Sequence, residues 1–189
     1  RIPKSYSQSQ IADILQKDGI IRSSFAFKTY LAISKKSGLN SGTYTLNSSM
    51  SYNEIIKTLR NTKNRSTVTV TIPEGYTAVK KAQLLDKKGV CSQEDFLAAA
   101  NSKTIKFDFQ DKIPEGKQRL YRLEGYLFPD TYEFYLDQSA DSVVKKMLDN
   151  FDSRLSKSLR DAIEKKGKTV DDIVNLASVI QAETGGNDN

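Results

Sequence analysis

Residues 123–135 have the sequence LEGYLFPDTYEFY, which places five aromatic and three acidic side chains around a Pro-Asp pair. Four of the aromatic residues recur with a period of two, the spacing that puts side chains on one face of an extended chain. They are Tyr126, Phe128, Tyr132 and Phe134. Pro129 and Asp130 interrupt strand pairing and favour a turn. The stretch therefore predicts two strands that bend about this corner.

Two interpretations of this stretch remain open from its composition. Aromatic side chains usually pack in a core, which would make residues 123–135 half of a β core. Alternatively, the rings form the wall of a carbohydrate groove, because sugars present apolar C–H faces to rings and hydroxyl rims to polar groups. In that case the polar contacts come from Glu124, Asp130, Thr131 and Glu133.

The composition of the chain excludes several chemistries. There is no histidine and only one cysteine, Cys91, among 189 residues, which removes Ser-His and Cys-His catalysis, histidine metal sites and internal disulfides. We therefore expect no metal and no cofactor. Lysine and arginine outnumber acids by 29 to 23, a net charge of +6 that suits an anionic neighbour. No nucleic-acid recognition motif accompanies this charge, so the hypothesis that the chain binds nucleic acid is based on its isoelectric point alone.

The ends and hydropathy of the chain lead to a further expectation. No apolar run is long enough to span a bilayer, and the chain opens at Arg1-Ile2-Pro3 without an initiator methionine or signal. We expect an excised, soluble part of a longer protein.

An internal repeat organises the first half. Residues 2–20 align with residues 72–90 at a constant offset of seventy, and the matched positions include a proline, a tyrosine and the glycine that would end a helix. Each copy predicts a strand, a turn and a helix, and residues 92–95 start a second helix. The predicted fold class is α+β, with strand-helix-helix units in the N-terminal half and a mixed part with long helices after it. We predict three divisions, at residues 1–66, 67–117 and 118–189.

The second half predicts two helices. Apolar residues at spacings of three and four over residues 140–163 indicate one long amphipathic helix, with a kink as an alternative. The last helix has an apolar stripe, and Glu183 falls on or beside it, whereas Gln181 points elsewhere. Partial desolvation and the negative helix end would both favour the protonated carboxyl group that a general acid needs. The alternative is a terminal glutamate that extends into water beside Gly185 and Gly186.

Several motifs together resemble the YceG-like family, the endolytic murein transglycosylases. They are EGYLFPDTYEF at residues 124–134, LASVIQAETGGND at 176–188, VTIPEGYT at 70–77, GTYTL at 42–46 and the opening IPKSYSQSQIADILQKDGII. The resemblance covers essentially the whole chain and implies LysM-like units in its first half. It also implies a membrane anchor ahead of the chain, an extracytoplasmic location and a domain that continues beyond Asn189.

The resemblance implies a mechanism and a set of site residues. The catalytic glutamate of the family lies in the second motif, where Gln181 replaces one of two common acids and leaves Glu183. It would protonate the glycosidic oxygen between MurNAc and GlcNAc and then deprotonate the C6 hydroxyl of the muramic acid, which closes a 1,6-anhydro ring. Glu124 is the second candidate acid, although a substrate contact suits it better. The expected substrate contacts are Glu124, Tyr126, Asp130, Thr131, Tyr132 and Thr184.

The resemblance leaves one alternative function open. A chain that lacks later parts of the family domain would be a non-catalytic module that binds the cell wall. The expected partners are peptidoglycan strands and enzymes of wall synthesis, and an enzyme of this class would limit the length of nascent strands.

Overall fold

The computed structural model describes residues 1–3, 6–107, 109–110, 113 and 119–185, without the side chain of Thr184. Its α+β architecture confirms the predicted class. The helices are α1 (Gln8–Lys17), α2 (Ser24–Ile33), α3 (Tyr52–Arg60), α4 (Ala78–Lys87), α5 (Gln93–Asn101), α6 (Ala140–Arg154), α7 (Lys157–Lys165) and α8 (Val170–Gly185), with a 3-10 turn at Thr62–Asn64. The strands β1 (Thr67–Thr71) and β2 (Thr131–Tyr135) form a two-stranded sheet.

The chain divides into two compact units. Unit 1 contains residues 1–68 and 135–137, and unit 2 contains residues 69–134 and 138–189. Among the described residues, no helix is both long enough and apolar enough to cross a membrane. The predicted division into three parts at residues 66 and 117 stays a prediction, and part of the second boundary lies outside the described residues.

Unit 1 is built around its three helices. Ser7 and Ser51 start α1 and α3, and each accepts a hydrogen bond from a backbone N–H in the first helical turn while a glutamine or glutamate side chain bonds back to it. Such reciprocal caps satisfy amide groups that the helix itself leaves open. The helices bury a common apolar core, whose members are Ile2, Ile11, Ala12, Leu15, Ile21, Phe27, Leu31, Ile55, Ile56 and Leu59.

Unit 2 packs α5 against both α4 and α6. β1 and β2 run antiparallel, and the bond from Ile72 N to Asp130 O (2.9 Å) continues their pairing. Along β2, Tyr132 and Phe134 are buried while Thr131 and Glu133 are exposed, because successive side chains of a strand alternate between faces. An aromatic cluster adds to the core, with Phe109, Tyr126 and Phe151 at centroid distances of 5.2–5.8 Å.

The two repeat copies share their helical part. Ser7 and Thr77 are the N-caps, with φ and ψ of −69° and 162° against −68° and 164°. Gly19 and Gly89 both follow the helix at φ +71°, a conformation that favours glycine. The next residue in each copy bonds back to the same helical position, Ile20 N to Leu15 O and Val90 N to Leu85 O. The same backbone path over residues 7–20 and 77–90 confirms the repeat for the helix.

The extended part of the two copies differs. The second copy follows strand β1, whereas in the first copy Ile2 makes a single antiparallel bridge to Gly42. The predicted turn of the first copy includes Lys4 and Ser5, which lie outside the described residues.

Two sequence predictions about the second half were wrong. Residues 121–127 form consecutive turns, so only the end of the 123–135 stretch is a strand, and its partner is β1. Residues 140–163 form two helices instead of one, because the helix ends at Leu155 and Ser156 starts the next by accepting a bond from Leu159 N at 3.3 Å. Serine competes for backbone hydrogen bonds and therefore favours a helix start over a helix interior.

Candidate functional site

Helix α8, which carries Glu183, is held at its first turns by an ionic cluster. Asp171 accepts a hydrogen bond from the Tyr126 hydroxyl at 2.6 Å and forms an ion pair with Arg119 at 2.5 Å. Arg119 also donates to Asn175 at 2.6 Å and lies over the Tyr126 ring, 5.2 Å from its centroid. The Arg119 and Asp171 side chains are only 17% and 13% exposed, so solvent screens this pair less than a surface pair. The cluster fixes α8 to the turns at residues 121–127.

The protonation of Tyr126 follows from these surroundings. Burial, and then the hydrogen bond to Asp171, raise the pKa of Tyr126 to about 12. The hydroxyl therefore stays protonated at neutral pH and remains a donor to Asp171. The ring is 1% exposed, which favours packing over sugar contact for this residue. The structure does not test whether Tyr126 contacts a substrate, so this role stays a prediction.

Gly125 allows helix α8 to pass close to the backbone of the turns at residues 121–127. Gly125 has φ +88°, and a Cβ atom at this position would lie 2.6 Å from Val174 Cγ1. Gly75 has φ +72°, and a Cβ atom there would lie 3.7 Å from Gln181 Nε2. Gln181 thus faces the Pro73-Glu74-Gly75 turn, on the side of α8 that also carries Val174, seven residues earlier. The prediction that Gln181 points away from the apolar stripe is therefore wrong with respect to Val174, which belongs to that stripe.

Glu183 lies on the other side of α8 and is exposed. Residues three, four and seven positions earlier share its side of the helix, and they are Ile180, Val179 and Leu176. Their exposed fractions are 54%, 57% and 56%. The position beside the apolar stripe is as predicted, but the expected partial burial is wrong, because this end of the stripe contacts solvent. The arrangement presents one carboxyl group next to an apolar surface.

Glu124 caps a helix. Both of its carboxylate oxygens lie 3.0 Å from the backbone nitrogen of Ala78, the first residue of α4. A negative charge at this position is stabilised by the open N–H groups and the dipole of the helix. The contact gives Glu124 a structural role, and its role toward a substrate stays a prediction.

Lys81 is a buried cation on the same helix. Its ammonium group donates to the carbonyl oxygen of Leu127 at 2.7 Å, and the residue is 4% exposed. Burial lowers the pKa of Lys81 to about 8, while the negative charge of Glu124 acts in the opposite direction. Together, Glu124 and Lys81 tie α4 to both ends of the turn at residues 124–127.

Asp130 and Tyr132 meet at α6. The Asn150 amide donates to Asp130 at 2.9 Å and to the Tyr132 hydroxyl at 3.0 Å, and Arg154 pairs with Asp130 at 2.8 Å. The bond from Asn150, then the Thr131 backbone N–H and Arg154, hold the pKa of Asp130 below its usual value. The exposed Thr131 hydroxyl lies 2.9 Å from that of Thr71 across the sheet.

The structure therefore distributes the predicted site residues over three places. Glu124 is at the start of α4, Asp130 and Tyr132 are at α6, and Glu183 is near the end of α8. The Thr184 side chain lies outside the described residues. Among the described residues, no group of three or more acidic or cysteine side chains could hold a metal ion.

Comparison with known proteins places the chain in a family. Its residues 1–189 match the family model of the YceG-like family. The chain belongs to the YceG-like family. This match confirms the resemblance drawn from the sequence motifs of residues 124–134 and 176–188.

Two curated relatives of this YceG-like chain are named endolytic murein transglycosylase. That of Streptococcus pneumoniae D39 is 30% identical over 200 residues, which cover 96% of this chain and 36% of the relative. That of Bacillus subtilis 168 is 30% identical over 190 residues, which cover 96% of this chain and 52% of the relative. The chain thus spans between about a third and a half of the length of these relatives.

A crystal structure at 2.6 Å of a YceG-like protein from Listeria monocytogenes is also similar. It is 28% identical, with 89% of this chain and 58% of that chain covered and a TM-score of 0.47.

Sequence analysis missed four residues of the YceG-like chain that hold its turns, strand β2 and helix α8 in place. They are Lys81, Arg119, Asn150 and Asp171. Lys81 had a detectable signal, because it lies three residues after Ala78 and four before Leu85 on the buried face of α4. Arg119, Asn150 and Asp171 are polar residues with no local pattern, and only long-range contacts identify them.

Proposed function

We propose that this chain is part of an endolytic peptidoglycan lytic transglycosylase that uses Glu183 as its catalytic acid and base. The observation that carries the proposal is the match of 96% of the chain to relatives named endolytic murein transglycosylase. The exposed carboxyl group of Glu183, next to the apolar side chains of Leu176, Val179 and Ile180, supports it. Sugar rings have apolar faces that suit such a surface.

The proposed reaction needs one carboxyl group. Protonated Glu183 donates its proton to the glycosidic oxygen as the bond from C1 of MurNAc to that oxygen breaks. The resulting carboxylate takes the proton of the C6 hydroxyl of the same sugar, and the C6 oxygen bonds to C1. The products are a chain with a free GlcNAc hydroxyl and a chain that ends in 1,6-anhydro-MurNAc, and no water is consumed. Hydrolases ordinarily use a second carboxylate, which this reaction does not require.

We propose that the strand-helix-helix segments are LysM-like. Ile2, before helix α1, forms an antiparallel bridge with Gly42, after helix α2. In the same way, β1 precedes α4 and pairs with β2, which follows α5. A pair of helices enclosed between antiparallel extended segments is the arrangement expected for a LysM module. Their role, glycan binding or scaffold, does not follow from the fold alone.

The second candidate function is a non-catalytic module that binds the cell wall. The exposed position of Glu183 favours it, because a general acid works best when its surroundings hold the proton on the carboxyl group. This module and the enzyme would bind the same glycan but differ in product formation.

The same proposal includes a location. An enzyme for peptidoglycan acts outside the cytoplasmic membrane, where an anchor outside these residues would hold it. There it would cut nascent strands and limit their length beside the enzymes of wall synthesis. Fractionation of cells that express the tagged full-length protein tests this location, and a cytoplasmic protein would contradict it.

Substitution of Glu183 by glutamine tests the catalytic assignment. We expect the full-length Glu183→Gln protein to release no 1,6-anhydro-muropeptides from uncrosslinked glycan strands, because an amide can neither donate nor accept the required proton. Its thermal midpoint and glycan binding should match the wild type, since the side chain is exposed. Mass spectrometry of the muropeptides measures the product.

Two matched variants complete the experiment. Glu164→Gln, at another exposed glutamate, should retain full activity. Glu124→Gln should lower the thermal midpoint, because the α4 N-terminus loses a charged cap, yet keep measurable turnover. An active Glu183→Gln enzyme, or a stable and inactive Glu124→Gln enzyme, would contradict the assignment. Glycan binding without product from the wild type would favour the non-catalytic module.

A further inference from the structure

The outward side of helix α2 in unit 1 is uncharged and exposed. Phe27 and Leu31 face the core, while the opposite side carries Phe25, Ala26, Thr29, Ala32 and Ile33. Phe25 and Ile33 are each 78% exposed, far more than the side chains of a buried helix face. They are eight residues apart, so they lie about 12 Å apart along the helix and within about 80° around it. Exposed apolar groups arranged in this way usually mark an interaction surface.

Cations surround this outward side of α2. Arg22 precedes the helix, Lys28 lies on its flank, and Lys35 and Lys36 follow its last turn. Lys28, Lys35 and Lys36 also line a cleft of about 440 Å³. Lys36 borders a second cleft of about 300 Å³, which Lys57 and Arg60 line as well.

Few acidic residues oppose these cations. Residues 1–68 contain eleven lysines and arginines but only three acids, a net charge of +8, while residues 69–189 carry −2. Asp13 pairs with Lys28 at 2.7 Å, Glu54 belongs to the cap of α3, and Asp18 ends α1. Among the described residues, no ion pair is formed by Lys35, Lys36, Lys57 or Arg60. The net positive charge of the chain thus comes from the part that exposes Phe25 and Ile33.

The combination of apolar and basic groups identifies the kind of partner. A soluble polyanion would account for the cations but would leave Phe25 and Ile33 without contacts. A second copy of the chain would cover the apolar groups but would bring two sets of like charges together. An anionic lipid surface satisfies both, because rings and aliphatic chains enter the boundary between headgroups and acyl chains while lysines contact the phosphates.

We propose that the outward side of α2, with Phe25 and Ile33 at its ends and Lys28, Lys35 and Lys36 around it, docks on the surface of an anionic lipid bilayer. The contact is peripheral, since the helix has ten residues and lies parallel to the surface. It would hold unit 1 at a membrane independently of any catalytic role of Glu183.

Vesicle sedimentation with the 189-residue chain tests this proposal. We expect binding to phosphatidylglycerol vesicles, weak binding to phosphatidylcholine vesicles, and release by salt. Phe25→Ser with Ile33→Ser should weaken binding about tenfold or more, because it removes the groups that enter the bilayer. Lys35→Gln with Lys36→Gln should weaken it roughly twenty-five-fold, since each lysine near an anionic surface contributes about a fivefold factor.

Unit 2 supplies the matched controls. Leu120 is also 78% exposed, so Leu120→Ser controls for the loss of an exposed apolar group. Lys87→Gln with Lys88→Gln controls for the loss of two exposed cations. Both should bind vesicles as the wild type does, and all variants should keep their thermal midpoints. Equal vesicle binding by the Phe25/Ile33 variant, or weaker binding only in the controls, would overturn the proposal.

Two further measurements separate the other partners. A dimer in analytical ultracentrifugation that the Phe25/Ile33 substitutions dissolve, with no vesicle binding, would assign the surface to a second copy and overturn the proposal. Binding to soluble polyphosphate that the same substitutions leave unchanged, again without vesicle binding, would assign it to a polyanion.

Discussion

At the scale of single residues, Lys81 is a buried charged residue at a position where the other repeat copy has a buried apolar one. Ile11 and Lys81 occupy the same position in the two copies, and both are buried, at 1% and 4% exposure. In unit 1 the isoleucine belongs to the apolar core, whereas in unit 2 the ammonium group contacts the Leu127 carbonyl and faces Glu124. Burial of an ammonium group is costly, so the substitution is explained by the turn that Lys81 holds and not by packing.

Lys81 predicts a pH dependence of stability. Its pKa in the folded chain is about 8, below the ordinary value of 10.5, so between these values the unfolded chain holds more protons and stability rises with pH. Between about pH 8 and pH 9.5 the rise from this group should approach about 2 kcal/mol, at about 1.4 kcal/mol per pH unit. Lys81→Met should lack this rise. Urea unfolding of both proteins across this range measures the difference.

The matched control for that measurement is Lys80→Met, because Lys80 lies beside Lys81 on α4 and its side chain is not buried. It should follow the wild-type pH dependence. Parallel curves for the wild type and Lys81→Met would contradict a lowered pKa at Lys81.

At the scale of secondary structure elements, the position of α8 depends on the turns at residues 121–127. The Arg119, Asp171 and Tyr126 cluster supplies polar contacts, and Gly125 allows the backbone to approach Val174. Helix α8 can hold Glu183 in one position only if the contacts that hold α8 itself are fixed. The polar cluster and the glycine act at the first half of α8, while the end that bears Glu183 is exposed.

Gly125→Ala should push α8 away from the turns at residues 121–127. The new Cβ atom would lie 2.6 Å from Val174 Cγ1 in a backbone conformation that disfavours side chains, so we expect a loss of about 2 to 4 kcal/mol in the free energy of unfolding. Gly167→Ala, with a similar positive φ and nothing within 4 Å, should cost only about 1 kcal/mol. Chemical denaturation measures both values.

A double substitution separates the two costs of Gly125→Ala, which are the steric overlap with Val174 and the strain of a positive φ. Val174→Ala removes the atom that the new methyl group would meet, so Gly125→Ala with Val174→Ala should cost less than the sum of the single changes. Strict additivity would indicate that Gly125 is required only for its backbone conformation.

At the scale of the whole molecule, each unit has its own core and its own charge. The unit 1 core includes Leu59, and unit 2 has a separate set of buried residues that includes Leu85. Separate cores can open as separate cooperative units in hydrogen exchange. Residues 1–68 carry a net charge of +8 because they contain only three acids, whereas residues 69–189 carry −2.

Core substitutions should therefore act locally. Leu59→Ala should destabilise unit 1 by about 2 to 5 kcal/mol and speed amide exchange in α1, α2 and α3, with little change in α4, α5 and α6. Leu85→Ala should give the reverse pattern, because Leu85 is fully buried in unit 2. Exchange measured by mass spectrometry checks both variants. Faster exchange in both units from one substitution would show that they unfold together.

The sequence alone determined the parts of this protein that depend on local chemistry. Ser7 and Thr77, with Gly19 and Gly89, set the start and end of equivalent helices, because capping and positive φ are properties of single residues. The motifs at residues 124–134 and 176–188 were sufficient for the family. The alternation of Tyr132 and Phe134 on one face followed from the period of a strand.

Only the tertiary structure decided the rest, because those features depend on residues far apart in the chain. Residues 121–127 became turns since Glu124, Tyr126 and Leu127 contact Ala78, Asp171 and Lys81, each 45 or 46 residues away. The same long-range contacts bury Tyr126, which period alone could not assign to core or groove. Periodicity placed Glu183 on the apolar stripe but could not say whether another element covers that end of α8, and burial depends on such packing.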